Sequence, residues 1–308
     1  MRIAVCVITF QRCAGLRRLL DSIAALRVQN TAPEISLVIV DNDPKGSARS
    51  VVEQMAAKFS FKIIYDIEPA RGISAARNRA VKIAIDADFV VFVDDDETVC
   101  PEWLDQLLFM QRENEADIVM GPVAPVFEKP PADWIVSGGF FVKDSEKNGK
   151  LDKKYGSTAN ILIRRSCLDM LTKPFAEVFN LTGGADYYLL LKLKAMGAKI
   201  CWAPKARVAE YVMADRANAG WILRRRFRVG NTIAMAERLL KPPGWWIIRP
   251  VKGVIRIVQG CVWLPFTMFR GKAEMVRSIG LIFFGCGILA GFCGYRYQEY
   301  KIRKNGHD

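Results

Sequence analysis

The chain has 308 residues, 51% of them hydrophobic, with eight cysteines, one histidine and a formal net charge of +13. That length buries a substantial core in one large α/β domain or two smaller ones, without a disulfide scaffold. Because the one histidine, His307, is next to last, Ser/His/Asp and Cys/His catalysis, H-E-x-x-H zinc sites and imidazole bases are excluded together.

Any hard metal must then be held by Asp and Glu, which points to Mg²⁺ or Mn²⁺. Proton transfer falls to a carboxylate, Lys, Tyr or Cys. The cysteines are scattered, with no C-x-x-C spacing, which argues for a reduced cytosolic compartment and no zinc. The apolar run at 3–8 lacks the length of a signal peptide, so the protein is expected to stay inside. The positive field attracts polyanions of any kind. Its Arg and Lys crowd the last third among apolar stretches, outside any nucleic-acid module.

Residues 1–120 alternate strand-like and helix-like patterns, as an open parallel sheet requires. Apolar runs at 3–8, 35–40, 61–65 and 89–93 read as strands buried on both faces, with crossover helices at 16–26, 48–58 and 74–87. In such sheets ligands bind beyond the carboxyl ends of the strands. Those ends carry Thr9, Asp41-Asn42-Asp43 and Asp94-Asp95-Asp96. Residues 121–154, rich in Pro, Gly and charge, read as a long functional loop or flap. A strand at 158–163, a helix at 185–196 closed by Gly197 and a strand at 199–202 follow.

After Pro242-Pro243-Gly244 the composition changes. Residues 245–269 are apolar and aromatic, with Arg249, Lys252 and Arg256 spaced onto one helical face, the pattern of a basic amphipathic helix on an anionic membrane surface. Residues 278–295 are uncharged and glycine-rich, about 18 residues or ~27 Å as a helix, barely a bilayer core. Arg270, Lys272 and Arg277 precede this stretch, and Arg296, Lys301, Arg303 and Lys304 follow it. A single crossing would leave one basic cluster outside, so an in-plane or re-entrant helical pair fits better than a span. A core hairpin of a soluble protein is the plain alternative.

The run Asp94-Asp95-Asp96-Glu97 packs like charges against an apolar strand end, which costs free energy unless a cation or capping amides compensate. A divalent ion resolves that cost. The alternative is an acidic N-cap for a helix opening at Pro101, for which one acid would suffice. Asp41 ends the second strand, where a carboxylate can accept from a base N–H or a ribose hydroxyl; a plain turn is the other reading. Ser74 reads as the N-cap of a helix whose first turns carry Arg77 and Asn78, which could face a nucleotide. Arg224, Arg225, Arg226 and Arg228 share a helical pattern and suit either a diphosphate or a solvated basic face.

The segments 5–12, 39–42, 72–78 and 92–97, with Thr182-Gly183-Gly184-Ala185-Asp186 and 223–231, resemble in order the signatures of inverting family 2 glycosyltransferases. The closer likeness, through 160–165 and 289–295, is to bacterial succinoglycan-type exopolysaccharide β-glucosyltransferases. The resemblance implies a GT-A fold, an α/β, Rossmann-like, mostly parallel sheet flanked by helices, over residues 1–240. Within it, 1–120 would be the nucleotide-binding half and 121–240 the acceptor half, with 241–308 forming C-terminal membrane-associating helices.

The same resemblance implies the roles. Thr9, Asp41, Arg77, Asn78, Asp94 and Asp95 would hold the nucleotide donor. Asp96, with Asp94, would hold Mg²⁺ or Mn²⁺, and Asp186 would be the general base. Arg225, Arg226, Glu210 and Gly184 are candidates for diphosphate or acceptor contacts. The donor would be UDP-glucose and the acceptor a lipid-linked saccharide, at the cytoplasmic face of the plasma membrane. Ala185 stands where the family usually has Glu, and Ala209 where relatives often have His. These departures leave a catalytically impaired nucleotide-sugar-binding scaffold as the alternative.

Overall fold

A computed structural model describes residues 1–28, 32–142, 146–147, 150–151 and 158–299. His307, the basic residues 301–304 and the middle of the 121–154 loop lie outside the described residues. In chain order the elements are β1 (Arg2–Thr9), α1 (Cys13–Ala24), β2 (Glu34–Asp41), α2 (Arg49–Met55), β3 (Lys62–Ile67), α3 (Ile73–Ile83), β4 (Phe89–Asp94), β5 (Glu97–Val99), α4 (Trp103–Asn114), β6 (Ile118–Met120), β7 (Val123–Phe127) and α5 (Asp133–Gly138). A two-residue pair, β8 (Glu146–Lys147) and β9 (Lys150–Leu151), precedes β10 (Asn160–Arg164), α6 (Arg165–Asp169), α7 (Ala185–Ala195), β11 (Ile200–Trp202), β12 (Val208–Val212), α8 (Ala219–Leu240), α9 (Trp245–Thr267) and α10 (Lys272–Phe292). The segment read as a flap therefore contains three strands, β7 to β9, and the helix α5. Its prolines sit at an extended strand and just before α5, positions that Pro tolerates.

The chain forms two compact units. The first comprises Met1–Val126, Val142–Asn180 and Leu189–Tyr211. Its seven-stranded sheet has the order β11-β6-β10-β4-β1-β2-β3. β1 pairs in parallel with β2 and β4, β2 with β3, and β11 with β6, while β10 runs antiparallel between β4 and β6. From Ile3 to Val7 every side chain of β1 is buried, which is why these strands read as unbroken apolar runs instead of alternating ones. On α1, Leu16, Leu19, Leu20 and Ile23 form the stripe that packs on the sheet with Val5, Ile39, Val91 and Trp103. Each such fully buried side chain contributes about 1.5–3 kcal/mol. Asn160, on β10, ties this core together: its Oδ1 accepts from Trp103 Nε1 at 2.8 Å and its Nδ2 donates to Ala206 O at 2.7 Å and Pro122 O at 3.0 Å.

The second unit comprises Phe127–Phe141, Leu181–Tyr188 and the chain from Val212 onward. α8, which the sequence reading assigns to the transferase domain, packs here with α10, and α10 packs in turn along α9. Glycines set this packing: a Cβ on Gly287 would lie 2.0 Å from Phe227 O, and one on Gly285 2.5 Å from Gly253 O. The three backbones therefore approach more closely than any side chain allows. Asn231 of α8 binds the segment after α10, donating to Tyr295 O at 2.9 Å and accepting from Tyr297 N at 3.0 Å.

α10 is the one helix among the described residues long and apolar enough to cross a membrane. It is nevertheless the middle helix. The exposed apolar face belongs to α9, where Ile247, Val251, Val254, Ile255, Val258 and Val262 are each about half exposed. Arg249 is not on a basic outer face with Lys252 and Arg256. It is buried, with Nε donating to Glu237 Oε2 of α8 at 2.6 Å. The inward seam Arg249, Gly253, Gly260 leaves only Lys252 and Arg256 as exposed charges within α9.

Candidate active site

The parallel register of β1 with β2 and β4 aligns Thr9 with Asp41 and Ile8 with Asp94. Three sequence-predicted residues thus meet at one sheet end, as strand order requires. β5 intervenes between the acidic run and α4, whose N-cap position is Glu102. The helix-capping alternative for Asp94–Asp96 therefore does not hold.

Asp95 and Asp96 form the turn between β4 and β5. Thr9 Oγ1 donates to Asp95 Oδ2 at 2.9 Å, and Arg12 Nη1 donates to Asp95 Oδ1 and Asp96 Oδ2, each at 3.0 Å. Arg77 Nη2 donates to Asp94 Oδ1 at 3.1 Å, with its guanidinium 5.6 Å from the Phe175 ring centroid. The Asp94 N–H donates to Glu97 Oε2 at 2.9 Å, and Tyr211 N to Asp96 O at 2.8 Å. Burial pushes the Asp95 carboxyl up to about 6 against the lowering influence of Arg12, and the neighbouring Asp96 charge adds to the rise. On α1, Gly15 admits this turn: a Cβ there would stand 2.6 Å from Asp95 O.

Other predicted donor residues have internal partners. Asp41 is fully buried, and its carboxylate accepts from Asp43 N at 2.9 Å, Ala48 N at 2.8 Å and Tyr65 Oη at 2.9 Å. These bonds hold the 43–48 loop at the end of β2. Asp43 is held below the usual carboxylate range by the Lys45 N–H, with help from Gln11. Asn78 clamps a distant loop, donating to Phe175 O at 2.8 Å and accepting from Phe175 N at 3.0 Å. Ser74 does not cap α3: Gly72 holds the N-cap position at φ 141°, and Asn180 Oδ1 accepts from Ala75 N at 3.0 Å. Sequence reasoning missed Arg12, Gly15 and Asn180. Only Arg12, a cation beside Thr9 in a recognised segment, left a signal there.

Glu210 lies in β12 directly opposite Glu97, and Ala209 opposite Thr98. In the second unit, Gly183 and Gly184 take positive φ, 73° and 96°, and lead into α7, whose first turn carries Asp186. Its Oδ1 accepts from Tyr187 N at 2.8 Å, and a carboxylate is favoured at that helix end. Ala185 is completely buried. Arg225 lies over Trp221, 5.2 Å to the ring centroid, the Arg226 stem passes Gly280, and Arg228 pairs with Glu299 at 3.3 Å. Arg225 and Arg228 thus have partners within this unit, while Arg224 and Arg226 are exposed.

No group of three acidic, Cys or His side chains among the described residues forms a complete metal cage. A Mg²⁺ or Mn²⁺ ion held with nucleotide needs only one or two carboxylates besides phosphate oxygens. Asp96 and Asp94, with side chains 20% and 37% exposed, fit that smaller donor set.

Residues 4–171 match the family model described as glycosyl transferase family 2. The chain is 34% identical over 232 residues to the succinoglycan biosynthesis protein ExoM of Rhizobium meliloti, covering 75% of this chain and 74% of that protein. It is 25% identical over 140 residues to the minor teichoic acid biosynthesis protein GgaB of Bacillus subtilis, covering 45% of this chain and 14% of that protein. Among solved structures, the S. aureus TarS 1–349 complex with UDP aligns at TM-score 0.55 and 17% identity over 97% of this chain and 93% of that one. The Pyrobaculum calidifontis mannosyltransferase PcManGT, in complex with GDP-Man and Mn²⁺, aligns at TM-score 0.64 and 16% identity over 94% and 86%. The acidic turn at the sheet end, the strand order and these likenesses agree: the chain belongs to glycosyl transferase family 2, with the GT-A fold, and is a nucleotide-sugar-dependent glycosyltransferase.

Proposed function

We propose that the enzyme transfers a hexose, glucose from UDP-glucose, with inversion, to a lipid-linked saccharide in the synthesis of a bacterial exopolysaccharide or other cell-surface glycan. The observation that carries the reading is the Asp94–Asp96 turn, tied to Thr9, Arg12 and Arg77 at the carboxyl ends of β1 and β4. Kinship with ExoM and GgaB supports the glycan setting.

Thr9, Asp41, Arg77, Asn78, Asp94 and Asp95 position the nucleotide, with Asp41 and Asn78 also holding the loops around it. Asp96, with Asp94, would hold Mg²⁺ or Mn²⁺, which would supply positive charge to the departing diphosphate. Asp186 takes the proton from the acceptor hydroxyl; that oxygen bonds to the anomeric carbon as the bond to phosphate breaks, and UDP leaves with the electron pair. Gly184 shapes the approach to Asp186, while Glu210, Arg225 and Arg226 serve acceptor or diphosphate binding. The outward face of α9 rests on the anionic cytoplasmic surface of the plasma membrane. Its uncharged strip, with Lys252 and Arg256 exposed on the same helix and Arg270 and Lys272 just beyond it, supports a peripheral or monotopic attachment.

Without acceptor, UDP-glucose should be hydrolysed slowly with UDP release that requires Mn²⁺ or Mg²⁺ and stops with EDTA. Tight UDP binding in EDTA with no turnover would instead favour a non-catalytic sugar-nucleotide scaffold. Asp186→Asn should lower transfer by roughly 10³-fold while UDP binding changes less than about twofold; unchanged turnover removes Asp186 as the base.

A further inference from the structure

The turn between α9 and α10 is tight and tied at its base. α9 ends at Thr267, whose Oγ1 lies 3.0 Å from Ser278 Oγ of α10, and Gly271 takes φ 100° at the N-cap position of α10. Within the turn Arg270 N donates to Thr267 O at 3.1 Å. This framework holds apolar side chains out in solvent. Phe269 is 92% exposed, the highest value of any large apolar side chain among the described residues, and Trp263, Phe266 and Met268 are each more than half exposed. Trp263 and Phe266 meet edge to face, with ring centroids 6.4 Å apart. Lone apolar residues in water are ordinary, whereas a cluster of four at one helix end marks a contact surface.

A second segment is fastened beside this turn. Over the first two turns of α10, Arg277 Nη2 donates to Gly138 O of α5 at 3.0 Å and Lys272 Nζ stands 5.0 Å from the Trp134 ring centroid. Val276 shares a buried apolar cluster with Ile135 and Phe141. α5 thus turns Ile135 inward and leaves its neighbour Val136 61% exposed. The charges around this end are Arg270, Lys272, Arg277 and, past Gly280, Arg226, against Glu274 and Asp133. Aromatic side chains framed by a basic excess suit the headgroup level of an anionic bilayer. Resting on the membrane reading above, we propose that the α9–α10 turn and Val136 of α5 insert together into that level, as a second lipid contact at the end of the α9 strip. α5 is then held at the surface that carries a lipid-linked acceptor.

Cosedimentation of the full-length protein with vesicles of phosphatidylethanolamine and phosphatidylglycerol measures the contact. Phe269→Asp should weaken vesicle binding on the order of tenfold and Val136→Asp about threefold, since each removes an apolar side chain from the inserted patch. Both residues face solvent, so the melting midpoints should match the parent's. The parent protein gives a second readout that needs no variant. Irradiated on the same vesicles doped with a lipid carrying a diazirine in its acyl chain, it should yield adducts in 263–269 and 133–138 as well as along 246–262, mapped by peptide mass spectrometry. Parent affinity in either variant, or adducts confined to 246–262, overturns the inference and leaves the α9 contact standing. No sedimentation of the parent protein with the vesicles removes both.

Discussion

The sheet end and the helical layer both place charge inside apolar surroundings, and they balance it in opposite ways. At the sheet end, Asp94, Asp95, Asp96 and Glu97 crowd one turn, held by Thr9, Arg12, Arg77 and backbone amides. Burial there, with the neighbouring Asp96 charge, keeps the Asp95 carboxyl raised against the lowering influence of Arg12. In the helical layer, Glu237 of α8 pairs with the buried Arg249 of α9. The first region gathers several acids at a strand end, and the second pairs one buried base with an acid across two helices.

That contrast breaks or sharpens under substitution. Glu237→Gln removes the carboxylate that pairs with the buried Arg249 guanidinium, so the largest loss of stability is expected here, about 3 kcal/mol, read as a lowered melting midpoint in detergent. A loss below 1 kcal/mol would show that the pair is not structural. At the sheet end, Gly15→Ala drives a methyl group into Asp95 O and should cost about 1–3 kcal/mol by overpacking. It should also weaken UDP binding measured by calorimetry, because the turn must shift; retained affinity would mean that the turn has slack. On the outer face of α9, Val258→Glu should alter stability by less than about 0.5 kcal/mol. It should nevertheless abolish flotation with vesicles containing anionic lipid, and persistent flotation would place the membrane contact elsewhere.

Legibility in the sequence followed the range of the interactions. The parallel strands and the acidic strand end could be read because each is written in consecutive residues, an apolar run and then four acids. Arg12 and Asp95 are separated by 83 positions, and the Asn180 cap of α3 by 105 from Ala75; no local pattern announces either. Ser74 looked like a cap because capping is usually local, and here a distant loop supplies it. Arg249 misled for a related reason. Helical spacing places it with Lys252 and Arg256, but the partner that draws it inward, Glu237, lies on the preceding helix. Hydropathy likewise singled out the stretch within α10, whereas exposure depends on which helix sits in the middle, and that is settled by the glycine contacts.

The outer face of α9 also governs how the protein behaves in a test tube. Its 23 residues extend about 35 Å, and in plain buffer a strip of that length showing valine, isoleucine, tryptophan and phenylalanine to water promotes self-association. Light scattering in buffer should therefore rise with protein concentration and fall on adding detergent micelles. Turnover numbers obtained at different dilutions are comparable only when the amphiphile-to-protein ratio is held constant.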